Sequence, residues 1–139
     1  MDATRYLPLL GRLLMGLPFL MSGFGKIAAY GPTTAYISSV GLPLAPLGFA
    51  LAVVLEIGGG LCLVLGFRVR LVALVLSFFT LATAIFFHNN FADQNQMFNF
   101  LKNVVIVGGL LQIVHFGAGQ YSLDTRRSRN QERTAGATT

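Results

Sequence analysis

Four side chains in this sequence combine charge or acid–base capacity with a place inside apolar chain: Arg12, Glu56, Lys102 and His88. Glu56 is the most demanding. It sits in the run 47–65, LGFALAVVLEIGGGLCLVL, which holds no other charge. A carboxylate near the centre of a membrane-length helix costs about 2.5–3.5 kcal/mol on insertion scales, so a chain that keeps one must satisfy it. A carboxylate, an ammonium and an imidazole that meet can exchange protons and polarise a carbonyl. That chemistry depends on which elements bring them together.

Other chemistries are disfavoured. Cys62 is the one cysteine, so the chain cannot run dithiol chemistry alone. His88 and His115 have no Cys or acidic companion at ligand spacing, so no metal site is expected from this chain by itself. The net charge is +5, but Arg126, Arg127, Arg129 and Arg133 crowd the C-terminal tail. A positive cytoplasmic flank explains them more simply than nucleic-acid binding does, and no nucleic-acid partner is expected.

The elements are membrane elements. The chain is 54% hydrophobic and 11% charged, against about 25% charged in soluble domains. Apolar runs at about 7–25, 47–65, 71–87 and 98–116 suit a hydrocarbon core of ~30 Å at 1.5 Å rise per residue. The expected fold is therefore an all-α four-transmembrane-helix bundle over residues 1–124. Residues 125–139 are expected to be a disordered, basic cytoplasmic tail. Between the first two spans, Pro32 suits a helix start and Gly41 with Pro43 a stop, which predicts a short interfacial helix. Arg5, Arg68, Arg70 and the four tail arginines fall on one side and Lys26 alone on the other, seven against one. The positive-inside rule then places both termini in the cytoplasm.

Helical side chains lean toward their own N-terminus. In that topology Glu56 and Lys102 both lean to the outer side, whereas Arg12 leans inward and can snorkel to headgroups. Glu56 is therefore expected to pair with Lys102 rather than with Arg12. His88, at the outer end of the third span, leans toward both. Arg12 and Asn103 are secondary members of this intramembrane polar site. Gly58, Gly59, Gly60 and Gly109 lie where small residues would let helices approach closely. The charged cluster has two readings, a functional site or a lock between two helices, and no catalytic residue is assignable.

Several ordered segments carry a family resemblance. GRLLMGLPFLMSGFGKI, YISSVGLP, LEIGGGLCLVLGFRVRLVAL, FNFLKNVVIVGGLL and GAGQYSLD together resemble the DoxX family of small four-helix membrane proteins, over residues 5 to 124. Arg12, Lys26, Glu56 and Arg70 match that pattern. The resemblance implies a bacterial inner (plasma) membrane protein linked to redox metabolism. The family includes a subunit of a thiosulfate:quinone oxidoreductase and a membrane partner in a mycobacterial thiol and superoxide defence complex. It supplies no defined catalytic set to carry over. With one cysteine, redox chemistry here would need a quinone, a haem or a partner protein.

Three roles follow as expectations. The first is a membrane subunit of an oxidoreductase complex, not a self-contained enzyme, with a quinone as the cofactor class. The second is a non-catalytic assembly or anchoring protein, and the third a small proton-coupled carrier. Each implies the lipid bilayer as surroundings and a protein partner or a homo-oligomer.

Overall fold

The computed structural model describes residues 3–136. Met1, Asp2 and residues 137–139, the outermost parts of the polar start and of the expected disordered tail, lie outside the described residues. A 3₁₀ turn, Ala3–Tyr6, leads into α1 (Leu7–Ala28). Then follow α2 (Tyr30–Ser39), α3 (Ala45–Leu65), α4 (Val69–Phe87), α5 (Gln94–Phe116) and α6 (Leu123–Gly136). No strand occurs among the described residues. Four of these helices, α1, α3, α4 and α5, are long and apolar enough to cross a membrane.

Local chemistry sets the boundaries. The last span begins earlier than its apolar run because Asp93 caps it, accepting from Asn95 N at 2.8 Å. The α3–α4 connection is tight. Gly66 ends α3 in the left-handed region at φ +73, and Phe67 N donates back to Cys62 O at 2.9 Å. The predicted short helix is α2, which packs on α3 and ends just before Gly41 at φ +80.

The four spans form a ring in chain order. α1 packs chiefly on α3, and α4 chiefly on α5. α3 also meets α4, and α1 also meets α5, which leaves α1/α4 and α3/α5 as diagonals. Phe19, Leu63, Ala73, Leu76 and Leu110 fill the middle. Outside, Leu14, Met21, Val54, Phe78 and Val105 are exposed, a surface suited to hydrocarbon.

Two glycines meet across the α1–α3 contact. A Cβ added to Gly16 would come 2.9 Å from Gly60 O, and one added to Gly60 would come 2.9 Å from Gly16 O. Gly59 lies against Leu76 of α4, and Gly109 against Met15 of α1. Gly58 does not belong with them. It is exposed and has open space around it, because it falls on the outer face of α3.

The tail departs from expectation. Residues up to 136 continue as a helix rather than as disordered chain. Ser122 Oγ accepts from Thr125 N at 3.2 Å to start α6, and Ser128 Oγ donates to Asp124 O at 3.2 Å. Asp124 in the first turn and Arg133 in the last both favour the helix dipole.

Candidate functional site

Glu56 is halfway along α3 and only 5% exposed. Its partner is Lys26, near the C-terminal end of α1. Lys26 Nζ donates to both carboxylate oxygens of Glu56 at 2.8 Å and to Ser22 Oγ, one turn back, at 2.8 Å. The backbones come close enough because Gly23 lies on the same face. A Cβ there would come 2.6 Å from the Ile57 side chain and 3.3 Å from Glu56 Cβ.

The expected Glu56–Lys102 pair is not formed. Lys102 is exposed, and among the described residues it makes no hydrogen bond or ion pair with Glu56. The reason is topological. Glu56 and Lys102 sit on α3 and α5, diagonal members of the ring, so matching depth does not bring them together. Lys26 sits on the adjacent α1 and leans back along its own helix into the bundle, as helical side chains do. Its neighbour at i−4, Ser22, was the available signal.

Two cavities meet at this pair. One, of about 590 Å³, lies among the end of α1, α2, α3 and α4. Its walls include Tyr36, Leu51, Leu55, Phe79 and Phe86, with Lys26, Glu56 and His88 as its charged or ionisable groups. The other, of about 280 Å³, lies among α1, α3, α4 and α5 and is lined by Ser22, Thr80 and Asn103 as well as Lys26, Glu56 and His88. Glu56, His88 and Asn103 thus lie around the same cavity without direct contact among them. His88 is oriented by Gln96, whose Oε1 lies 2.9 Å from Nδ1. Tyr36 Oη donates to Phe87 O at 3.0 Å and ties α2 to the end of α4.

Arg12 is not a snorkelling side chain. It is 1% exposed, at the opposite end of the bundle from these cavities. Nη1 donates to Leu63 O at 3.0 Å, and Nη2 donates to Tyr121 O. The guanidinium takes up carbonyls at the C-terminal end of α3, where the helix leaves acceptors unpaired and the dipole is negative. Arg12 therefore joins α1, α3 and the segment leaving α5. Asp124 completes this end. Its carboxylate accepts from Arg68 N at 2.7 Å and from Val69 N at 3.0 Å, capping α4. Cys62 is partly buried and free, and His115 packs edge-on to Phe116.

The DoxX family model matches residues 7–89, a span that includes Lys26, Glu56 and His88. The chain is 43% identical over 118 residues to the inner membrane protein YqjF of Escherichia coli K12, covering 84% of this chain and 88% of that one. It is 37% identical over 129 residues to the inner membrane protein YphA of the same organism, covering 89% of this chain and 92% of that one. A shorter match, 31% over 80 residues, is to the ER-derived vesicles protein ERV29 of Saccharomyces cerevisiae, and spans 54% of this chain and 26% of that one. No solved structure matches the chain.

Proposed function

We propose that this chain, which belongs to the DoxX family, is the membrane subunit of a quinone- or thiol-linked oxidoreductase complex. In this reading Lys26, Glu56 and His88 form the polar end of a site for an amphipathic redox carrier. One observation carries the proposal: an apolar cavity of about 590 Å³ ends on a buried ion pair and a histidine. Binding sites for small molecules have this size and this ratio of apolar wall to a few polar groups. A quinone–quinol couple suits this set, its hydroxyl form donating to Glu56 and its tail lying on the apolar wall. Bound there, it would supply two-electron, two-proton chemistry.

The chain's own residues hold the head and handle protons. Lys26 has three N–H groups and spends them on Glu56 and Ser22. Glu56 keeps spare lone pairs, so the site as it stands favours a ligand that donates, such as a hydroxyl, over one that only accepts. His88 is fixed on its Nδ1 side by Gln96 and has Nε2 for exchange with the cavity. With one cysteine in the chain, electrons come from a partner protein. The seven-to-one division of basic residues supports cytoplasmic termini, which puts the cavities in the outer half of the membrane.

The test is purification in mild detergent with whatever partner co-purifies, followed by reduction of a short-chain quinone. Turnover is expected to fall at least tenfold in Glu56→Gln and to persist in Lys102→Ala. If no quinone-dependent turnover occurs and no quinone or quinol shifts the thermal midpoint, the redox reading fails and the pair is a lock between α1 and α3.

A further inference from the structure

The cavity of about 280 Å³ differs in character from its neighbour. Its polar wall is Ser22, Lys26, Glu56, Thr80, His88 and Asn103, contributed by all four spans and the residue that ends α4. Thr80 is 4% exposed, and its Oγ1 has no hydrogen-bond partner among the described residues. Its neighbours on α4 behave differently. Ser77 Oγ donates to Ala73 O at 2.7 Å, and Thr83 Oγ1 to Phe79 O at 2.9 Å, the usual way for a helical hydroxyl to satisfy itself in an apolar setting. Thr80 does not take this bond. Asn103, across the cavity on α5, makes no side-chain hydrogen bond to another described residue.

A buried hydroxyl left unpaired is costly, and a cavity of this size with polar groups on its wall has room for several waters at roughly 30 Å³ each, with the two to four polar partners that each needs. We propose that this smaller cavity is a hydrated chamber, its ordered water bonded to Thr80, Asn103 and the outer lone pairs of Glu56. The Lys26–Glu56 pair forms the wall between this chamber and the apolar cavity. The chamber therefore delivers protons to Glu56 from the side away from the carrier. Hydration follows from the geometry alone, whereas its use for proton delivery rests on the redox reading above.

Radiolytic hydroxyl-radical footprinting of the full chain in liposomes tests the chamber directly, because side chains that touch ordered water are labelled. Phe19 lines the chamber and is 9% exposed; Phe78 faces outward and is 67% exposed. Phe19 is expected to label several-fold faster than Phe78, and to lose that advantage in Asn103→Leu. Equal labelling of the two in the wild type overturns the proposal. Thr80→Val is an independent arm. In a hydrated chamber it removes a made hydrogen bond and lowers the thermal midpoint by a few degrees. In a dry one it removes an unpaired hydroxyl, and a raised midpoint would also overturn the proposal. Absent quinone turnover with Phe19 still labelled removes the redox reading and leaves the hydration. Intact turnover with Phe19 unlabelled removes only the chamber.

Discussion

Lys26, Glu56 and Lys102 show how a charge's value depends on its neighbours. Replacing Glu56 with Gln leaves Lys26, whose side chain is 28% exposed, without its counter-ion. The expected cost is about 1–3 kcal/mol, read as a lower thermal midpoint in detergent. The double variant Glu56→Gln with Lys26→Gln should recover part of that loss, since both charges then leave the bundle. Lys102→Ala should change the stability by no more than ~0.5 kcal/mol, as for an exposed residue with no partner among the described residues. The need for a partner was legible in the sequence, because Glu56 is the only charge in its span. The partner's identity was not, because depth and side-chain direction admit any lysine near that level. Only the order of helices around the ring distinguishes adjacent α1 from diagonal α5. The orphaned Thr80 hydroxyl was equally hidden, since its type and spacing match those of its self-satisfied neighbours.

At the scale of elements, the two ends of the bundle are joined by different means. Arg12 and Asp124 bind backbone, so they fasten helix termini rather than side chains. Arg12→Lys is expected to lose nearly as much stability as Arg12→Met, because an ammonium cannot span Leu63 O and Tyr121 O as a planar guanidinium does. Asp124→Ala removes the α4 cap and should cost about 1 kcal/mol. It also leaves unsupported Arg68 N, on a residue held in the left-handed region at φ +44. Thermal melts and membrane yield check both. Among the glycines, Gly60→Ala should cost about 1–3 kcal/mol by overpacking against Gly16 and Leu20, whereas Gly58→Ala should be tolerated. Four glycines looked alike as candidates for packing; spacing along one helix does not say which face a neighbour covers. The four spans and the short α2 were legible because apolar length and Pro/Gly punctuation are local signals. The caps at Asp93 and Ser122 are local too, and they account for the earlier start of α5 and for the helical tail.

The molecule as a whole is an inner-membrane protein of DoxX type. Its termini are expected in the cytoplasm, so a green fluorescent protein fused after Thr139 should fluoresce and an alkaline phosphatase fused there should be inactive. The opposite pair of results would invert the bundle and move both cavities to the inner half. The Gly16–Gly60 contact has a mechanical meaning as well. It holds α1 and α3 together as a fulcrum, with backbone bonds through Arg12 on one arm and the Lys26–Glu56 pair beside Gly23 on the other. Separating the helices on the second arm breaks one ion pair and apolar contacts, whereas on the first it breaks the bonds that Arg12 makes to backbone carbonyls. Amide protons in residues 48–53 of α3 should therefore exchange faster than those in 60–64, and Glu56→Gln should widen that difference.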